Sequence, residues 1–314
     1  MKHMMKISLC SLGLLMICGC TQVEEKNKEI EQNNDNNVTE VFQMTGIEQK
    51  FTNELEEESE ETFPQETLHF IDAWDEWHDV IIKSTVPHHN YDWKYLSNTQ
   101  EGIYYDGDEH YSIRKGIDVS HHQGTIQWDK VKESGYDFAI IRIGYRGYGN
   151  SGTIKMDRTA RNNIINAQKA GLDVGVYFFA QAINELEAKE EAEFVLEQLK
   201  DLEIQLPVVY DPELIRDEAA RTDNVTGEQF TRNTIVFCEK ILNAGYEPMI
   251  YSNMVWEGEI FDMEQLKKYT FWYADYEPFP QTPYAFEYWQ YSEKGTVDGI
   301  EGMVDLDIQF VEKQ

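Results

Sequence analysis

Basic residues are scarce: 27 Lys and Arg stand against 58 Asp and Glu, a formal net charge of −31 at pH 7. A chain this acidic repels polyanions and carries no basic footprint, which sets nucleic-acid binding aside. Cysteine is scarcer still, four in 314 residues. A long membrane-spanning run is lacking as well, because the N-terminal apolar stretch from Ile7 to Ile17 is too short to cross a bilayer comfortably. What the chain does have is apolar bulk. It is 41% hydrophobic and 13% aromatic, enough for one large core.

Lys2 and Lys6 precede the short apolar run, which closes in Ile17-Cys18-Gly19-Cys20. This reads as a signal peptide over residues 1–20. The closing tetrapeptide resembles the bacterial lipobox, in which small residues precede a cysteine that is acylated and becomes the new N-terminus. Cys20 is the expected lipidation site, with an ordinary cleaved signal as the alternative. Two or three acyl chains hold a protein stably on a membrane where one is marginal. With Cys10 and Cys18 removed and Cys20 acylated, Cys238 alone remains, expected as a buried thiol in a helix.

Residues 21–66 are polar and acid-rich (EEKNKEIEQNNDNN, then NELEEESEE) and lack apolar periodicity. They read as a disordered tether. Roughly 45 such residues reach about 35–40 Å r.m.s.. Residues 67–113 read as a helical stalk, from the apolar spacing in HFIDAWDEWHDVII, plus a hairpin in YLSNTQEGIYYDG.

From residue 114 to 314 the pattern becomes regular. Strands are expected at GIDVS (116–120), FAIIRIGY (138–145), VGVYFFA (174–180), LPVVYD (206–211), PMIYS (248–252), TFWYADY (270–276), FEYWQYS (286–292) and VDLDIQF (304–310). Helices intervene between most of the first six. Asn184 with Glu187, Thr226 with Gln229 and Asp262 with Gln265 stand at capping-box spacing, and Gly171 and Gly245 fall at helix ends. The fold class implied is α/β, an irregular TIM-like (β/α) barrel of about eight strands with fewer helices near the C-terminus. The last two connections are too short and Gly/Pro-rich for crossover helices. A doubly wound open sheet is the architectural alternative.

Parallel barrels carry their chemistry at the C-terminal ends of the strands. Asp118 lies in the first strand, Asp211 and Glu213 end the fourth, Asp275 ends the sixth, and Asp305 and Asp307 lie in the eighth. Tyr177, Tyr210, Trp272, Tyr273, Trp289 and Tyr291 accompany them. Asp211 and Glu213, two residues apart, point to the same side of a strand. Crowded in a partly desolvated cleft they cannot both ionise easily, so one holds its proton beside an anionic partner, as acetal cleavage requires. The bland alternative is a solvated charge pair at a strand end, and core packing for the aromatics.

Two other signals point elsewhere. Gly147-Tyr148-Gly149-Asn150-Ser151-Gly152 fits G-x-G-x-x-G, but the next helix starts near Asp157 and Asp173 opens a strand rather than closing one. A loop at the cleft rim is expected instead. His121 and His122 lack a ligand spacing, and adjacent strand residues point opposite ways, so no metal and no cofactor are expected.

GIDVSHHQGTIQWDKVKESGYDFAIIRIGYRGYG, AGLDVGVYFFAQA, PVVYDPE and GMVDLDIQF together resemble glycoside hydrolase family 25, the Chalaropsis-type lysozymes or N-acetylmuramidases, from about Lys115 to Phe310. The resemblance implies a modified (β/α) barrel that cleaves the β-1,4 bond between N-acetylmuramic acid and N-acetylglucosamine in peptidoglycan. It implies Glu213 as proton donor, Asp211 as the partner that assists the 2-acetamido group or an attacking water, and Asp118 and Asp305 as further cleft acids. The family more often has asparagine at the position of Asp307. Substrate contacts are expected from Tyr177, Tyr210, Trp272, Asp275 and Trp289. The whole reads as a monomeric lipoprotein on the outer face of the cell membrane, acting on glycan strands of the cell wall. A non-catalytic peptidoglycan-binding lipoprotein is the alternative, and a metal-dependent deacetylase or amidase a third reading.

Overall fold

A computed structural model describes residues 66–99, 102–216 and 219–314. The signal peptide, Cys20 and the tether up to residue 65 lie outside the described residues. Among the described residues no helix is long and apolar enough to cross a membrane.

Eight strands form the barrel: β1 (Tyr111–Val119), β2 (Phe138–Arg146), β3 (Asp173–Ala180), β4 (Val208–Pro212), β5 (Pro248–Ser252), β6 (Thr270–Ala274), β7 (Tyr288–Gly295) and β8 (Val304–Glu312). Successive strands pair in parallel from β1 through β7. Strand β8 pairs antiparallel with both β7 and β1, which closes the sheet and rules out the open-sheet alternative. The irregularity at the end has a simple cause. A parallel return needs a crossover of a dozen or more residues, and the eight between Gly295 and Val304 are too few.

Helices α1 (Trp128–Glu133), α2 (Ala160–Lys169), α3 (Glu185–Leu199), α4 (Gly227–Asn243) and the short α5 (Met263–Leu266) lie between the first six strands. The expected caps form. Asn184 Oδ1 accepts from the Glu187 amide at 3.0 Å and Thr226 Oγ1 from the Gln229 amide at 3.2 Å. Asp262 caps α5 through Glu264 instead, and its second oxygen takes the Gln265 side chain at 2.7 Å. Gly171 and Gly245 adopt φ of 89° and 90° just past α2 and α4. Cys238 is buried in α4, as its pattern implied.

The helical stalk is not found. Thr67–Ile71 and Trp77–Ile81 pair as an antiparallel hairpin, followed by the expected second hairpin, Leu96–Thr99 with Gly102–Tyr105. Within the first hairpin, burial alternates. Leu68, Phe70, His78 and Val80 turn inward while His69, Trp77, Asp79 and Ile81 face out. The turn decides against a helix, because Asp72 Oδ1 accepts from the amides of Trp74 and Glu76, both at 2.9 Å, and Asp75 adopts φ 64°. Both hairpins also have work that a helix could have done. Phe70, Val80, Ile103 and Tyr105 cover the outward side chains of β6 to β8, among them Phe271, Tyr273, Trp289, Ile308 and Phe310. That face has no crossover helix of its own, and an apolar sheet face must be covered.

Candidate active site

Side chains alternate along each strand, so one residue in two enters the barrel. The lower interior is plugged by Phe138, Ile140, Val209, Met249, Trp272 and Tyr288. One layer above, the same inward rows continue as Asp118 on β1, Tyr177 on β3, Asp211 on β4, Tyr251 on β5, Gln290 on β7 and Asp305 on β8. With Glu213 and Tyr276 they line a cleft of about 350 Å³ at the C-terminal ends of the parallel strands.

The cleft crowds carboxyl groups, and the consequences follow from burial. Burial raises Asp118 well above the ordinary carboxylate range, and neighbouring Asp307 and Asp305 raise it further. Gln290 Nε2 donates to Asp118 Oδ2 at 2.7 Å and partly opposes this. Asp211 is raised by burial and by Glu213, against the field of Arg142. Its Oδ1 is buried and finds no hydrogen-bond partner among the described residues. Glu213, just past the strand end and half-buried, is pushed up to about 7 by burial and Asp305. Asp305 rises to about 6 through burial and Glu293. Asp307 lies below them, fully buried, with Oδ1 accepting from Trp272 Nε1 at 2.9 Å. Burial and Asp305 hold its proton affinity high. Near neutral pH this cleft therefore stores protons on acids, the condition for general acid catalysis.

Arg142 is the cation whose field reaches both Asp211 and Glu213. Its Nε donates to Asp157 Oδ2 at 3.0 Å, and the same carboxylate accepts from the His121 amide at 3.0 Å. His121 and His122 sit in a single 3-10 turn after β1 with ring centres 4.1 Å apart and planes tilted by 35°, and His121 braces Arg142 through its Nδ1. The Gly147–Gly152 loop is held by Arg146, which donates to the Gly152 carbonyl at 2.9 Å, and no helix starts at its glycines.

Of the residues singled out from the sequence, the structure gathers Asp118, Asp211, Glu213, Asp305, Tyr177 and Trp272 around the cleft. Five others face elsewhere, by strand parity. Tyr210 neighbours inward Asp211, so it points out and packs on Phe237 of α4 at 4.7 Å between ring centres. Trp289 neighbours inward Gln290, is fully buried in the outer cluster, and donates Nε1 to the Asp275 carbonyl at 2.8 Å. Tyr273 and Tyr291 belong to that outer cluster too. Asp275 turns away from the acids. Its carboxylate accepts from the amides of Glu277 and Gln281 and from the Tyr273 hydroxyl at 2.8–3.0 Å, the ties of a loop-shaping residue.

Sequence reading missed Gln290, Tyr251 and Tyr276. The hydroxyls of Tyr251 and Tyr276 donate to Gln290 Oε1 at 2.8 and 2.9 Å, and this aims its amide at Asp118. The parity of β5 and β7 carried the signal for Tyr251 and Gln290. Trp74, from the first hairpin, also lines the cleft, and nothing near it in the sequence points there.

A family model for "Glycosyl hydrolases family 25" matches residues 117–300, more than half of the chain. The chain belongs to glycosyl hydrolase family 25. Among curated relatives, the autolytic lysozyme of Clostridium acetobutylicum is 26% identical over 194 residues, 62% of this chain and 55% of the relative. Lysozyme M1 of Streptomyces globisporus is 29% identical over 201 residues, 61% of this chain and 66% of the relative. The chain thus spans between about half and two-thirds of the length of these curated relatives. Solved folds agree. A family 25 glycosyl hydrolase from Bacillus anthracis superposes with TM-score 0.53 at 21% identity, over 73% of this chain and 94% of that one. The modular autolysin LytC of Streptococcus pneumoniae gives TM-score 0.54 at 24% identity, over 77% and 56%.

Proposed function

We propose that this family 25 protein is a peptidoglycan hydrolase, an N-acetylmuramidase that cuts the β-1,4 bond between N-acetylmuramic acid and N-acetylglucosamine. The observation that carries the reading is the Asp211–Glu213 pair at the head of β4. Its glutamate holds a proton up to about neutral pH, inside a cleft shared with Asp118 and Asp305. The names of two curated relatives, both lysozymes, point the same way.

In this mechanism Glu213 gives its proton to the glycosidic oxygen as the bond from that oxygen to the anomeric carbon breaks. Asp211 accepts from the 2-acetamido N–H of the sugar through its unpartnered Oδ1. The acetamido oxygen then attacks the anomeric carbon and forms a cyclic cation. Water opens it, returning a proton to Glu213, so configuration is retained without a protein nucleophile. Asp118 and Asp305 complete the acid wall that favours developing positive charge once ionised.

The test is release of soluble muropeptides from purified cell walls by the wild-type protein and by Glu213→Gln. Products ending in reducing muramic acid, lost in the variant, are expected. Reducing N-acetylglucosamine would overturn the bond assignment, and no release at any pH from 4 to 8 would leave a binding lipoprotein.

The same reading places the protein on the outer face of the cell membrane, held by lipid on Cys20 and a long acidic tether. The N-terminal Lys2–Lys6 and Ile17–Cys20 pattern supports it. Cell fractionation of wild type and Cys20→Ala tests it, with the variant expected to leave the membrane fraction.

A further inference from the structure

The hairpin Thr67–Ile81 lies outside the residues matched by the family model, yet its tip enters the acid cleft. Ala73 and Trp74 line that cleft beside Asp211 and Glu213. Trp74 also borders a second cavity, of about 610 Å³, with Leu214, Arg216 and Val255. It therefore stands where the cleft continues past the acids, and the residue is 47% exposed.

Several contacts hold this tip in place. The Gln281 side-chain amide pairs with the Ile71 backbone in both directions, accepting from its N–H at 3.0 Å and donating to its carbonyl at 2.9 Å. Asp275 fixes Gln281 by accepting its backbone amide at 2.8 Å. His78 bridges Glu259 at 2.8 Å and Asp72 at 3.3 Å. Val80 packs so closely on Gly258 that a Cβ there would lie 2.7 Å from its methyl group. On the far side, Arg216, three residues past Glu213, donates to Glu76 at 2.8 Å and lays its guanidinium 4.0 Å over the Trp74 ring.

A cation over one face of an indole both orients the ring and leaves the other face for a ligand. An exposed, braced tryptophan next to a sugar-cleaving site suits the C–H face of a pyranose. We infer that Trp74, backed by Arg216, is a glycan-binding platform that stacks a sugar ring of the polysaccharide strand beyond the pair being cleaved. This inference rests on the glycan-hydrolase reading above. It assigns the hairpin a role in holding long strands, with Gln281 and Asp275 as positioning residues.

Trp74→Ala in the full chain is the test, read in two ways. The KM for purified glycan strands stripped of peptide should rise roughly three- to tenfold, the effect of losing one aromatic stacking contact. The loss should be smaller on a disaccharide-length substrate, and Trp74→Phe should recover most of it. Binding of the same strands to Glu213→Gln protein, with and without Trp74→Ala, gives a second readout independent of cutting. Gln281→Ala should weaken binding in the same direction while Trp74 is present. Unchanged KM and unchanged binding in a Trp74→Ala protein with a normal melting curve would overturn the platform. If wild-type protein cuts no glycan, the hydrolase reading fails and the binding contrast alone decides the platform.

Discussion

Asp305 lies directly opposite Asp118 across the antiparallel ladder that closes the barrel, and both carboxyls enter the same cleft. One closure contact thus sets two acids, nearly two hundred residues apart in sequence, beside each other and across from Asp211 and Glu213. Such groups cannot all be ionised at once, so the site behaves as a shared proton store.

Glu213→Gln removes the proposed proton donor while keeping size and polarity. Turnover should fall about 100- to 10,000-fold, the range for losing a general acid, with the melting temperature maintained or raised. Release of reducing ends from purified walls, followed beside a thermal melt, measures both.

The pH profile has a defined direction. In the proposed mechanism Glu213 must be protonated to act, so activity should decline as pH rises through about 7. Stability should follow suit. Glu213 at about 7 and Asp305 at about 6 sit above their ordinary 4.5 and 3.8, so the folded protein binds more protons than the unfolded chain in between. Their contribution is fully present below those ordinary values and is lost as pH climbs through 6 to 7. Thermal melts at pH 5 and pH 8 should show the higher midpoint at pH 5, with a smaller difference in Glu213→Gln.

Asp307→Asn keeps an oxygen for the Trp272 indole and removes a buried carboxyl that must hold its proton to stay neutral. Asp118 loses the neighbour that most raises its proton affinity after burial, so it should ionise at lower pH. The expected result is a folded, active enzyme with better stability at pH 8. Asp307→Leu also strips the indole of its partner and should cost about 1–3 kcal/mol relative to Asp307→Asn, the penalty for an unsatisfied buried donor. Denaturant melts of the two variants decide it.

Gln290→Ala leaves Asp118, Tyr251 and Tyr276 without their common partner. Turnover should drop about 10- to 100-fold, as expected when about 1–3 kcal/mol of hydrogen bonding that orients an acid is lost. Because Gln290 acts through Asp118, the pH profile should also shift toward higher pH, since the bond lowers the proton affinity of Asp118. A profile that keeps its shape would point to a purely structural loss.

Much of the barrel was legible along the chain, because its signals are local. The apolar runs of all eight strands, the caps Asn184 and Thr226, and Gly171 and Gly245 depend on neighbours a few residues away. The pairing of Asp211 with Glu213 was legible for the same reason, since a spacing of two on a strand fixes a common side. That same rule, applied to Tyr210 and Trp289, turns them outward. Their misplacement among the substrate contacts came from weighing residue type above parity. The first hairpin was misread because Leu68, Phe70, Trp77 and Val80 satisfy more than one period, and the Asp72 turn broke the tie.

By itself, then, the sequence determined the order of strands and helices and the acid pair at the head of β4, which are short-range consequences of alternation and capping. Only the tertiary structure decided the rest. It ran β8 backward to close the barrel, set Asp305 against Asp118, let two tyrosines aim Gln290, and brought Trp74 from the far N-terminal hairpin to the cleft. Those relationships join residues far apart in the chain through burial of a sheet face left bare by missing helices, and no local pattern carries such information.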